Sequence, residues 1–75
     1  MNIKVLGGGC RRCEALLKAA KEAAAAKGID ADFEYITDME KIMEYGIMSM
    51  PALMIDEKLV SAGKVLKVKE IEKLL

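Results

Sequence analysis

The chain has 75 residues, and its twelve basic and twelve acidic side chains cancel to a formal net charge of zero. That length fits one small domain with a modest core, which a 53% hydrophobic fraction can supply, and a single proline does not suit a linker or a disordered tract. The cancelled charge leaves no overall field to recruit nucleic acid or an anionic membrane, and the absence of histidine removes mixed Cys/His zinc sites and any His-based general base.

In chain order, Asn2 to Leu6 is short, β-prone and bounded by Gly7-Gly8-Gly9, which suits a buried first strand. Residues 10–27 read as a helix, with Cys13, Leu16, Leu17, Ala20 and Ala24 on one face and Gly28 as its stop. Residues 31–36 alternate Phe33 and Tyr35 with Asp32 and Glu34, the pattern of a strand at a sheet edge. Thr37-Asp38-Met39-Glu40 is a capping-box pattern that opens a short helix through Ile42 and Met43 to Tyr45, closed by Gly46. After Pro51, residues 52–55 form a compact apolar strand. A turn over Asp56-Glu57-Lys58 returns the chain through Leu59-Val60-Ser61. Val68, Ile71, Leu74 and Leu75 make the apolar stripe of a last helix, for which Lys67 is a poor N-cap.

This order restricts topology. The first strand–helix–strand unit is expected to be right-handed, with its two strands parallel. The closing hairpin is antiparallel, and its residue 52–55 strand is expected beside the first strand. A sheet buried on both sides needs helices on both faces. The first and last helices are expected to share one face, with the middle helix on the other.

The chemistry concentrates at Cys10 and Cys13, the two cysteines of the chain, separated only by Arg11 and Arg12. A Cys-x-x-Cys pair on the first turn of a helix that follows a strand can cycle between dithiol and disulfide. As a staple the pair has little value, because closing so small a ring contributes only about 2 kcal/mol in the chain-entropy model. Met1-Asn2-Ile3-Lys4-Val5-Leu6 is too short and lacks the basic leader of a secretory signal, and nothing reaches the length of a membrane span. A cytoplasmic, reducing setting is therefore expected, where a close cysteine pair is catalytic or metal-binding. Gly7-Gly8-Gly9-Cys10-Arg11-Arg12 lacks the final glycine of a dinucleotide fingerprint, so the glycine run is read as a permissive turn. Met39, Met43 and Met54 read as core fillers, whereas Met48 and Met50 flank the proline.

Cys10-Arg11-Arg12-Cys13 after the first strand, Met50-Pro51-Ala52 before the third, and Gly63 after the fourth together resemble the thioredoxin-like superfamily. The likeness is to its very short thioredoxin/glutaredoxin-like members, the redox-active disulfide proteins common in archaea and anaerobic bacteria, and it spans essentially the whole chain. It implies a minimal thioredoxin-like α/β fold of order βαβαββα, one domain over residues 1–75 with a four-stranded mixed sheet and helices on both faces. It also implies a cis Met50–Pro51 peptide facing the cysteines, with Met50 offering its backbone to an extended substrate. Two positions depart from the longer thioredoxins: Gly9 stands where they carry tryptophan before the first cysteine, and Lys4 where they carry a buried acid.

The implied activity is thiol–disulfide exchange, reducing or exchanging protein disulfides. Cys10, at the helix start, is the nucleophile, Cys13 resolves the mixed disulfide, and Arg11 and Arg12 tune the thiolate by their charge. No cofactor beyond the disulfide is required. The implied partners are protein disulfides and an upstream reductase, with the chain acting as a monomer. Two other readings remain open. One is a soft-metal carrier using the two thiolates, as in small heavy-metal-associated domains, which have two strands between their helices and end in a strand. The other is a non-catalytic, redox-regulated partner-binding module.

Overall fold

Alternation of side chains along the central strands divides the core into two layers. The computed structural model describes residues 1–8 and 11–75, and Gly9 and Cys10 lie outside the described residues. The elements run β1 (Asn2–Leu6), α1 (Arg11–Ala26), β2 (Asp32–Ile36), α2 (Met39–Glu44), β3 (Ala52–Ile55), β4 (Lys58–Ala62) and α3 (Val68–Leu74). The four strands form one mixed sheet in the order β2-β1-β3-β4. β1 pairs parallel with β2, from Asn2 opposite Asp32 to Leu6 opposite Ile36. It pairs antiparallel with β3, from Ile3 opposite Ile55 to Leu6 opposite Ala52. The expected fold class and strand arrangement are therefore present, with β2 at one edge and β4 at the other.

Ile3 and Val5 of β1 and Leu53 and Ile55 of β3 share one face of the sheet with buried residues of α1 and with Ile71 of α3. Leu6, Ala52 and Met54 share the other face with Ile42 of α2 and with Ile47. α1 and α3 pack against each other on the first face, as their small and branched apolar residues allow. Among the described residues, no helix is long and apolar enough to cross a membrane.

Local sequence explains where the helices stop and start. α1 is rich in alanine, the strongest helix former, and its inward stripe is Cys13, Leu16, Ala20, Ala23 and Ala24. Leu17, expected on that face, is half-buried beside it. The helix ends where Gly28 takes a φ of 66°, a left-handed value that costs glycine little. The Gly28 N–H then reaches the Ala25 carbonyl at 3.1 Å and the Ile29 N–H the Ala24 carbonyl at 2.9 Å.

α2 begins one residue later than the capping-box pattern suggests. Asp38, not Thr37, is the N-cap, its carboxylate accepting the Glu40 N–H at 3.0 Å. A carboxylate there also faces the positive end of the helix dipole. Lys67 does cap α3, but by position only. Glu70 supplies the missing acceptor, its Oε1 receiving the Lys67 N–H at 3.3 Å.

The hairpin is tighter than the three-residue turn expected from sequence. β4 starts at Lys58 and reaches Ala62, so only Asp56 and Glu57 connect the strands. Both take positive φ, 48° and 67°, the mirror-image turn whose twist suits a two-residue hairpin. Neither is glycine, and both are held by β1. The Asp56 N–H donates to the Asn2 carbonyl at 2.8 Å, and the Asp56 carboxylate accepts the Asn2 N–H at 2.9 Å. The Glu57 carboxylate accepts from, and ion-pairs with, the Lys4 ammonium.

Lys4 is the buried charge of the sheet, 7% exposed on the α2 side. Its Nζ also donates to the Tyr45 hydroxyl at 3.2 Å and stands 5.4 Å from the centroid of that ring. The hydrogen bond to Glu57, then that to Tyr45, outweighs desolvation and raises the Lys4 pKa well above its ordinary 10.5. A group whose folded pKa is raised stabilises fully below its unfolded pKa and loses that contribution as pH climbs toward the folded one. In urea unfolding, the stability difference between the parent and Lys4→Met should stay level from about pH 7 to 9 and move against the parent above about pH 10.5. A difference that stays flat to pH 11.5 would show that Lys4 gains nothing from its partners. In the core, Leu53→Ala should cost about 2–5 kcal/mol, read from the urea midpoint, because both neighbours of β3 are strands and its side chain is fully buried.

Candidate active site

The register of β1 against β3 builds one end of the sheet. Because Leu6 lies opposite Ala52, the next residue of β1 and the preceding residue of β3, Gly7 and Pro51, meet at that end. α1 rises from the same place, with Cys13 on the inward side of its first turn and completely buried. A Cβ built on Gly7 would lie 2.2 Å from the Cys13 sulfur, 3.2 Å from the Cys13 Cβ and 3.8 Å from the Pro51 Cα. Gly7 therefore leaves the space that the thiol fills. The Gly7 N–H continues the parallel ladder by donating to the Ile36 carbonyl at 2.9 Å, which fixes the backbone on which Cys13 rests.

This role of Gly7 is absent from the sequence reading, which took the three glycines together as a turn. The available signal was a glycine ending a strand just before a helix that turns a thiol inward, a place where close approach is expected. Gly8 differs. A Cβ there would meet nothing within 4 Å.

Before β3, at the same end of the sheet, the Met50–Pro51 peptide is cis. Pro51 is buried, whereas Met50 is 36% and Met48 98% exposed, so the segment presents an apolar lip to solvent. The Pro51 carbonyl accepts the Gly63 N–H at 2.9 Å. Gly63 has a φ of 78°, and a Cβ on it would come 3.1 Å from the Ser49 Cβ, so both conformation and space call for glycine. The Arg12 guanidinium donates to the Gly63 carbonyl at 3.2 Å.

Of the residues expected at the site, Cys13, Pro51 and Met50 gather at this end of the sheet, and Arg12 reaches it through Gly63. Arg11 is exposed beside Arg12 on the first turn of α1. Cys10 lies outside the described residues. Two shallow grooves of about 400 and 440 Å³, one between β4 and α3 and one between β2 and α2, are lined by neither Cys13 nor Pro51.

A four-stranded mixed sheet, helices on both faces, a buried cysteine on the first turn of α1 and a cis-proline leading into β3 make this a thioredoxin-like fold. The sequence comparisons agree, since residues 1–75 match the family described as the thioredoxin domain. A thioredoxin of Methanothermobacter thermautotrophicus is 43% identical over 75 residues, covering 100% of this chain and 97% of its own length. A thioredoxin of Methanocaldococcus jannaschii is 33% identical over 70 residues, covering 93% of this chain and 80% of its own. The chain belongs to the thioredoxin family, and is a thioredoxin-like redox protein.

The contact between Gly7 and Cys13 yields a paired test. Gly7→Ala must displace the thiol or the strand end, so it should lower stability by about 1–3 kcal/mol and make Cys13 more reactive to alkylation in the reduced protein. Gly8→Ala, with open space around it, should stay within about 0.5 kcal/mol of the parent. Equal behaviour of the two variants would remove Gly7 as the seat of Cys13.

Proposed function

We propose that the chain is a thiol–disulfide oxidoreductase that reduces, or exchanges, protein disulfides through a dithiol–disulfide cycle of Cys10 and Cys13. The observation that carries this reading is the fully buried Cys13 sulfur, seated on Gly7 beside Pro51 in a member of the thioredoxin family. A thiol with no solvent exposure is poorly placed to meet a substrate from solution. It suits attack on a sulfur already bound at Cys10, three residues earlier in the sequence.

In the cycle, the Cys10 thiolate attacks one sulfur of the substrate disulfide. The substrate S–S bond breaks, a mixed disulfide forms, and the first substrate thiolate leaves. Cys13 loses its proton and attacks the Cys10 sulfur. The mixed disulfide breaks and the second substrate thiolate leaves; the two substrate thiolates take up the proton released by Cys13 and one from solvent. The substrate has gained two electrons and two protons, and the chain holds a Cys10–Cys13 disulfide. An upstream dithiol reductase returns the electrons by the same two steps in reverse.

The remaining site residues take supporting roles in this reading. Exposed Met50 and buried Pro51 bind the extended substrate segment, the former through its backbone and apolar side chain. Arg11 and Arg12, exposed at the start of α1, add positive charge that favours a Cys10 thiolate, together with the positive end of the helix dipole. The protein acts as a monomer in a reducing, cytoplasmic setting, where a dithiol can be kept reduced. The architecture disfavours the metal-carrier alternative, because α2 stands between β2 and β3 and the last element is the helix α3.

Two measurements test the cycle. In the reduced protein near neutral pH, alkylation should label Cys10 well before Cys13, and equal labelling would reverse the assignment of nucleophile and resolver. With a protein disulfide and an external dithiol, the parent should turn over, whereas Cys13→Ser should stop at a mixed disulfide on Cys10 that mass spectrometry can identify. A parent that closes its own disulfide but never turns a protein disulfide over would make it a regulatory binding module.

A further inference from the structure

We propose that Arg12 is a positioning residue for the Met50–Pro51 segment, holding it against the start of α1 through Gly63. The inference rests on the disulfide-exchange reading above and assigns Arg12 a task different from that of its neighbour Arg11. One residue, Gly63, uses its two backbone groups in opposite directions. Its N–H donates to the Pro51 carbonyl at 2.9 Å, and its carbonyl accepts from Arg12 Nη2 at 3.2 Å. The relay therefore runs from the residue preceding Cys13, across the end of β4, to Pro51, which like Cys13 lies beside Gly7.

The surroundings explain why such a tie is needed. β4 is an edge strand, paired on one side only, and its register with β3 slips between Leu53 and Met54. Its end, Ala62 opposite Ala52, is thus the far margin of the sheet. Met48 and Met50 are exposed, so the segment before Pro51 has little apolar burial of its own to fix it. Gly63 closes on that segment from the other side, where only the absence of a Cβ allows its approach to Ser49. A guanidinium can span from the first turn of α1 to this carbonyl and donate to it while remaining charged. Arg12 thereby couples the helix that carries Cys13 to the segment that would receive the substrate backbone.

The test compares Arg12→Gln with Arg11→Gln in the full chain, since both remove one positive charge from the same turn. Hydrogen exchange of the Gly63 amide should accelerate about 2–10-fold in Arg12→Gln, as loss of one supporting hydrogen bond allows, and should not change in Arg11→Gln. With a protein disulfide as substrate, Arg12→Gln should raise KM several-fold more than it alters the rate with a small aromatic disulfide. Unchanged Gly63 exchange in Arg12→Gln overturns the proposal. So does an equal response of both variants, which would mark a charge effect. If the parent fails to reduce protein disulfides, the disulfide-exchange reading falls. The Gly63 exchange comparison still decides whether Arg12 holds the segment.

Discussion

The pairing of β1 with β3 is the constraint on which the rest of this protein depends. These are the two inner strands, and side chains from both reach both core layers. In so small a chain these doubly buried strands are a main source of hydrophobic stabilisation, and the inward faces of the helices supply much of the rest. Their antiparallel register is strongly specified, because a slip of one residue would send Ile3, Val5, Leu53 and Ile55 to the wrong layer and carry Lys4 into the larger one. The same register that satisfies the core brings Gly7 against Pro51. Core packing thus sets where the candidate site forms, at the end of the two inner strands.

The two ends of this strand pair are built from different chemistry. At the hairpin end the hold is polar. Asp56 exchanges two hydrogen bonds with Asn2, and Glu57 takes the ammonium of Lys4, so a turn with two non-glycine residues at positive φ is fastened by its own side chains. A lysine is affordable inside the sheet only because a carboxylate and a hydroxyl reach it. At the other end the hold is steric, through the missing Cβ atoms of Gly7 and Gly63 and the buried ring of Pro51. That end has the exposed methionines Met48 and Met50, and Arg12 bridges it through Gly63. A polar clasp suits a fixed hairpin, whereas the end held by shape leaves the side chains of Met48 and Met50 exposed to solvent.

Legibility in the sequence followed the range of the interaction. Elements governed by local rules could be read directly: the alanine-rich α1 with its glycine stop, the alternating β2, the apolar β3 and the hairpin behind it. Boundaries shifted where two local signals competed, as at Thr37 and Asp38, or where a distant partner decided. Glu57 could join a two-residue turn because Lys4, 53 positions away, holds its carboxylate. At the start of α3 the partner is local instead, since Glu70, three residues on, accepts the Lys67 N–H.

The sequence by itself determined the order of elements and the cysteine pair, which rest on periodicity and on spacing within a few residues, and its whole-chain resemblance to known members pointed to the thioredoxin family and to the proline. Tertiary structure alone decided what Gly7, Arg12 and Lys4 do. Gly7 is a turn glycine until the strand register presses it against Cys13, Arg12 is one of two equivalent charges until the end of β4 offers it the Gly63 carbonyl, and Lys4 is a charge out of place until Glu57 and Tyr45 close around it. In each case the partner lies across the sheet or on another helix, and no local pattern encodes a distance between residues that only the packed core brings together.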